Sequence, residues 1–332
     1  MSQRNLINEQ IKQTYFEFLK HVDGKSPKTI MQHEKSILKF EKSVGFKDFK
    51  TFDQKQAIAF KSSFNEKKLS ISTIASTINQ VKRFFGWLRL QHGYKRSIKD
   101  NDIGYFNLSD KDKRAASAPA DKHYPSLKLI ERVVQAMPHE TAIEKRNRAI
   151  IAFTAITGIR DGATISLKLK HFDAGQNLVL QNPKEVTTKA SKRIDTFVFP
   201  LSDLLEDIFL EWVQYLQNDL AFSNHDPLFP RAAVKHDENL CFAKSGLSKE
   251  HWTSATAMRA IFRKAFEAVG EEYYGPHSLR HMIVSEAYSR KLSHGEIKAW
   301  SQNLGHDGLL VTLNSYGKLS VEEQGRLIRK AD

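Results

Sequence analysis

Residues 154–173 read TAITGIRDGATISLKLKHFD. Small and β-branched apolar residues run up to Gly158, and Arg160 follows two positions later. Upstream the run extends to AIIAFTAITGI (149–159), the most apolar stretch of the chain. It is far shorter than the ~20 residues that span a bilayer. It therefore reads as a buried helix stopped by a glycine. A guanidinium at the end of such a helix, beside apolar neighbours, needs an anionic partner.

The chain has 332 residues, a length that suggests two domains. With 40% hydrophobic and 10% aromatic residues it can build real cores. Its single cysteine, Cys241, excludes an intramolecular disulfide and argues against a cysteine-based zinc site. The opening MSQRNLINEQ has no apolar signal-peptide core, so a soluble protein of the reducing cytoplasm, nucleoid-associated and without a membrane partner, is expected. Net charge is +13 and unevenly spread. Residues 1–120 carry 23 of the 51 Lys/Arg and 12 of the 38 Asp/Glu, a balance of +11, which leaves +2 for the other 212. A basic first third is either a solubilising lysine surface or a clamp for a polyanion, of which nucleic acid is the commonest.

Residues 1–108 read as a helical domain. INEQIKQTYFEFLKHV places Ile7, Ile11, Tyr15, Phe18 and Leu19 at helical intervals and ends at Asp23-Gly24. Ser26-Pro27 opens a second helix, and DQKQAIAFKSSFNEKK is a third. The clearest is SISTIASTINQVKRFFGWLRLQHG, with Ile71, Ile74, Ile78, Val81, Phe85 and Leu88 on one face. Its opposite face carries Ala75, Asn79, Lys82, Gly86 and Arg89. That face is either an ordinary solvated surface or one small enough to enter a DNA groove, with Asn79, Lys82 and Arg89 as contacts. SDKDKRAASAPADKH (109–123) lacks apolar periodicity and reads as a semi-extended linker.

A second domain, 124–332, has helices expected over 126–137 and 142–157. Strands at LVLQ (178–181) and DTFVFP (195–200) are joined by a long basic hairpin, NPKEVTTKASKRI, with Lys189 near its tip. After it the pattern reads helical to the end. Within that region GPHSLRHMIV (275–284) sets His277 and Arg280 one turn apart on one face. NLGHDGLLVTLNSYGKLS (303–320) holds His306 and, ten residues on, Tyr316. Taken singly, each piece has an ordinary explanation. An Arg after Gly caps a helix, a loop lysine is solvated, and a Tyr packs with its hydroxyl satisfied. His277 and His281 form an H-x-x-x-H pair, but no acidic third ligand accompanies it and Arg280 would repel a cation, so no metal is expected.

In this order, Arg160, Lys189, HSLRH (277–281), LGH (304–306) and Tyr316 resemble the tyrosine recombinase (phage integrase) family. The resemblance covers the whole second domain, and the basic helical first domain is similar to that family's core-binding domain. It implies a mainly α fold with a small β-sheet: a helical N-terminal core-binding domain followed by an α+β catalytic domain. It also implies a site of Arg160, Lys189, His277, Arg280, His306 and Tyr316. Two departures stand out. Members often carry an acidic residue three positions after the first arginine, where this chain has Ala163, which leaves Asp161 as the candidate for orienting Arg160. The His-to-Tyr interval is one longer than in many members.

The residue types suit the implied chemistry. A tyrosine hydroxyl, with pKa ~10, becomes a nucleophile where positive charge favours its phenolate. Two arginines offer planar forks to phosphate oxygens, a histidine adds a donor, and a lysine can protonate the leaving oxygen. No cofactor is required. The resemblance further implies double-stranded DNA as partner and a homotetramer on two DNA sites; accessory DNA-bending proteins are compatible with it. The tail after Tyr316 opens with a capping-box pattern, Ser320 and Glu323, and its Val321, Leu327 and Ile328 suit packing on a neighbouring protomer or on its own domain. Two other readings stay open: a type IB topoisomerase, and a DNA-binding architectural or regulatory protein with a vestigial site.

Overall fold

A computed structural model describes residues 4–64, 69–117, 123–236, 242–290, 292–306, 325 and 328–329. Tyr316 and the tail helix opened by Ser320 and Glu323 lie outside the described residues. The chain divides into two compact units, Met1–Ala118 and Pro119–Asp332.

Among its described residues the first unit has helices and no strand: α1 (Leu6–His21), α2 (Pro27–Ser43), α3 (Gln54–Ser62), α4 (Ile71–Leu88), α5 (Asp100–Gly104) and α6 (Asp110–Ser117). Each long helix starts where a small polar side chain can accept from an open N–H: Asn5, Ser26, Asp53 and Ser70 are the N-caps. The α4 stripe is the floor of the core. Ile78, Val81, Phe85 and Leu88 are buried, with Phe84 beside them. Phe85 stacks on Phe52 at 4.0 Å between ring centres, and Phe40 meets Phe85 edge-on at 5.0 Å.

Two expectations are corrected in this unit. On α1 Tyr15 and Leu19 are buried as expected, but Ile7 is 51% exposed, and Asn8 and Lys12 take the buried positions one residue on from Ile7 and Ile11. The compensation comes from α2 and the segment after it. Lys12 Nζ donates to Glu41 at 2.7 Å, and Asn8 bridges Lys47 O (2.9 Å) and Phe49 N–H (3.1 Å). Residues 110–117 of the expected linker form a helix. Asp112 N–H donates to Ser109 Oγ (3.1 Å), Ser109 Oγ donates to Asp112 (2.7 Å), and the Ala pair that follows favours helix. None of its side chains is buried.

The second unit is built around α8 (Ala142–Thr157), which follows α7 (Leu127–Ala136) and is buried without interruption from Ala149 to Thr157. Its two core threonines satisfy their hydroxyls on the helix itself, Thr154 to Ile150 O (2.6 Å) and Thr157 to Phe153 O (2.7 Å). The single turn α9 (Asp161–Thr164) follows. Next come β1 (Phe172–Asp173), β2 (Leu178–Gln181) and β3 (Ile194–Phe197), an antiparallel sheet in the order β1-β2-β3. Leu178 pairs with Phe197 and Gln181 with Ile194, so residues 182–193 form the connection that carries Lys189. Then α10 (Asp203–Asn218) packs on α8, and β4 (Ala232–His236) pairs with β5 (Phe242–Leu247). The hairpin corrects the expectation of helix from β3 to the C-terminus. The sequence stretches AAVKH and FAKSGL show little alternation, and cross-strand pairing sets their conformation. The unit continues with α11 (Thr256–Ala268), α12 (Pro276–Ser289) and α13 (His294–Asn303). Among the described residues no helix is long and apolar enough to cross a membrane.

Candidate active site

Four segments of the second unit converge on Arg280. Helix α12 opens at Pro276, whose missing N–H costs nothing in a first turn. His277 is exposed in that first turn, its ring 5.3 Å from that of His281. Arg280, one turn on, is only 4% exposed. Its Nη1 donates to Gly158 O at 2.5 Å and its Nη2 to Leu304 O at 2.6 Å. One guanidinium thus ties the end of α8 to the end of α13.

Both ends are glycine-terminated, for steric reasons visible in the packing. Gly158 caps α8 at φ +62°, and a Cβ there would lie 2.6 Å from Leu304 Cδ2 and 2.8 Å from Ile283 Cδ1. Helix α13 ends in a Schellman cap: His306 N–H donates to Ser301 O (3.2 Å) and Gly305 N–H to Gln302 O (2.7 Å), with Gly305 at φ +64°. A Cβ on Gly305 would meet Ile194 Cδ1 of β3 at 2.8 Å. Asn303 docks the same helix end on β3, accepting from Phe197 N–H (2.7 Å) and donating to Phe197 O (2.9 Å). His306, half-buried, is the first residue past this cap.

Arg160 is the N-cap residue of α9, two residues beyond Gly158, and is half-buried. Its charge acts on Arg280: burial first, then Arg160, push the Arg280 guanidinium down to about 9, where it is still a cation at neutral pH. Two guanidinia held this close repel one another, and an anion between them relieves the repulsion. Asp161, the candidate for orienting Arg160, accepts instead from Arg259 of α11, with Nε 2.8 Å away, and from Gly162 N–H at 2.8 Å. Ala163 is buried against the core. Lys189 begins a 3₁₀ turn, Lys189–Ser191, and is exposed. Among the described residues no group of three His, Cys, Asp or Glu side chains is placed to hold a metal.

In the first unit, Asn79 is exposed on α4, but Lys82 donates to Asn107 at 2.6 Å and Arg89 pairs with Asp100 at 2.6 Å. A second basic feature is not anticipated by the sequence reading. Lys35, Lys39 and Lys42 recur at i, i+4 and i+7 along α2, all exposed, and face Ser72, Thr73 and Ser76 across the α2–α4 groove. Among the described residues no acidic side chain pairs with these three lysines. Their heptad spacing on a helix whose other face buries Ile37 and Phe40 was the available signal.

The sequence model of the phage integrase family matches residues 127–323, and that of the phage integrase N-terminal SAM-like domain matches residues 13–92. The chain is 22% identical to tyrosine recombinase XerC of Lactobacillus leichmannii over 307 residues, 91% of this chain and 92% of that protein. It is 25% identical to tyrosine recombinase XerC of Bacillus licheniformis over 173 residues, 51% of this chain and 54% of that protein. Two solved structures share the fold at 15% identity. One is the Tn1549 transposon integrase in complex with transposon right end DNA, with a TM-score of 0.64 over 97% of this chain and 99% of that one. The other is a lambda integrase dimer bound to a COC′ core site, with a TM-score of 0.65 over 93% and 95%. The chain belongs to the phage integrase family, the tyrosine-type site-specific recombinases.

Proposed function

We propose that this protein cleaves and rejoins double-stranded DNA through a covalent 3′-phosphotyrosyl intermediate, without metal or ATP. The observation that carries the reading is the pair Arg160 and Arg280, two cations brought together where Arg280 binds the carbonyl of Gly158, two residues before Arg160, at the junction of α8, α12 and α13. A scissile phosphate is the anion this arrangement suits. Tyr316 Oη attacks phosphorus, the P–O5′ bond breaks, and Lys189 protonates the departing O5′. Arg160, Arg280 and His306 stabilise the charge that builds on the non-bridging oxygens. His277 takes the tyrosine proton or braces the phosphate. The number of phosphodiester bonds is conserved, so the 5′ hydroxyl of another strand reverses the step with no outside energy. Exchange between two duplexes then requires four protomers on two sites, with accessory DNA-bending proteins compatible with that assembly.

The test is a nicked duplex carrying the end sequence of the element that encodes the protein, in which cleavage releases the short strand and traps the intermediate. An adduct on a denaturing gel, mapped by peptide mass to Tyr316, is the expected result. Tight binding with no adduct, or an adduct elsewhere, would overturn the reading and leave a DNA-binding protein with a vestigial site.

The first unit contributes the duplex grip, through Lys35, Lys39 and Lys42 together with Asn79. Changing the three lysines together to Gln is expected to reduce the slope of log K against log salt by about 3, roughly one per phosphate contact. Fluorescence anisotropy between roughly 50 and 200 mM salt, the range over which such contacts are lost, reads it directly. An unchanged slope would remove α2 from the interface.

A further inference from the structure

The connection between β2 and β3 is held by more than its two strands. Asn182 O accepts from Glu185 N–H (3.0 Å) and Val186 N–H (2.8 Å), closing a turn, and Val186 is buried in the core. Thr187 N–H donates to Ser166 Oγ at 2.9 Å, and Ser166 lies just past the turn that Arg160 opens. Glu185 is the third anchor. One carboxylate oxygen accepts from Lys170 Nζ at 2.7 Å, with Lys168 Nζ 3.6 Å away, and the other lies 3.3 Å from His171 Nε2. His171 is buried and its Nδ1 accepts from Lys168 N–H at 3.0 Å, so Nε2 carries the proton and donates to Glu185. Burial, the largest influence, pushes the His171 pKa down and keeps the ring neutral, while Lys170 and then His171 hold Glu185 ionised, its pKa down at about 2. A carboxylate held by two hydrogen-bond donors, with the Lys168 ammonium 3.6 Å away as a further positive charge, sits four residues before Lys189.

We propose that Glu185 is a positioning residue for Lys189. Its carboxylate fastens the rising arm of the connection to Lys168, Lys170 and His171 beside the Arg160 turn, so that the Lys189 ammonium is presented to the leaving 5′ oxygen. The inference rests on the proposed role of Lys189 as proton donor, and the experiment separates the two. The nicked duplex is made in two forms, with the bridging 5′ atom of the scissile phosphate as oxygen or as sulfur. A 5′ thiolate leaves without a proton, so a general acid contributes to cleavage of the first substrate and not of the second.

With the oxygen substrate, Lys189→Ala is expected to slow cleavage by about 10²–10⁴-fold. Glu185→Ala is expected to slow it roughly 10- to 100-fold, the range produced by about 1 Å of misplacement. Glu185→Gln, which keeps an acceptor for Lys170, is expected to fall between Glu185→Ala and wild type. With the sulfur substrate all three variants should cleave at the wild-type rate. If Lys189→Ala recovers on sulfur and Glu185→Ala does not, Glu185 supports the domain generally and the inference is overturned. A Glu185→Ala protein as fast as wild type on oxygen overturns it as well. If Lys189→Ala stays slow on sulfur, the proton-donor role falls and takes the positioning role with it. Glu185→Gln guards against a misfolded alanine variant: partial activity on oxygen with full activity on sulfur supports the positioning role, and equal losses on both substrates overturn it.

Discussion

Arg280→Met is expected to reduce strand cleavage by at least about 10³-fold and to lower the melting temperature of the second unit. The first effect follows from the proposed role of Arg280 in stabilising charge on the phosphate, since removal of one such donor costs about 10²–10³ in rate and a guanidinium has N–H groups to supply two beyond its carbonyl bonds. The second follows from the carbonyls of Gly158 and Leu304, two buried residues that lose their donors. Each orphaned carbonyl costs about 1–3 kcal/mol. Part of that is offset because a desolvated cation is removed and Met fills its volume, which leaves a net loss of about 2–3 kcal/mol. For a unit of this size that is roughly 4–12 °C in Tm. Arg280→Lys should recover some stability and little activity, because a single ammonium cannot serve two carbonyls on separate segments and a phosphate oxygen together. Wild-type melting of Arg280→Met, measured by calorimetry, would mean that the two helix ends are held together by apolar packing alone.

Gly158→Ala should cost about 2–5 kcal/mol of unfolding free energy, the sum of a backbone and a packing effect. A left-handed Ala costs about 1–2 kcal/mol. Forcing a methyl to within 2.8 Å of both Leu304 and Ile283 adds about 1–3 kcal/mol of overpacking. Gly270→Ala provides the control within the same unit. Gly270 has φ +73° and a Cβ there would have no neighbour within 4 Å, so that variant should show the backbone cost alone. Equal losses for the two variants in urea would show that Leu304 and Ile283 yield freely. Because Leu304 O is an acceptor for Arg280, any yielding at Leu304 should appear as lost cleavage beyond what stability explains.

The legible parts of the fold are those written in local patterns. The α4 stripe from Ile78 to Leu88, the uninterrupted apolar α8, the Ser26-Pro27 helix start and the glycine stop at Gly158 each follow from spacing or a single residue type. What stays hidden depends on residues distant in sequence. Lys12 reads as a surface lysine until Glu41 arrives from α2, and Asp161 reads as a partner for Arg160 until Arg259 arrives from 98 residues away. The β4–β5 hairpin carries a lysine and a histidine in β4, and the short α6 has no apolar residue larger than alanine, so neither shows apolar periodicity. In the candidate site, the order of motifs points to Arg160, His277, Arg280 and His306. The staple that Arg280 makes between two helix ends is beyond reach of such reading, because both acceptors are backbone carbonyls, which leave no trace in residue identity.

Among the described residues, the candidate groups other than Arg280 sit where regular structure stops: Arg160 at the N-cap of α9, Lys189 at the start of a 3₁₀ turn, His277 in the first turn of α12, His306 just past the cap of α13. Helix interiors then need only remain apolar on one side, and any of many residues can fill them. The termini, with their fixed glycines and caps, hold the candidate groups in register. Such a chain can exchange most of its letters over evolutionary time without moving its reactive atoms, and an identity of 22% spread over 91% of its length is the divergence such an architecture tolerates.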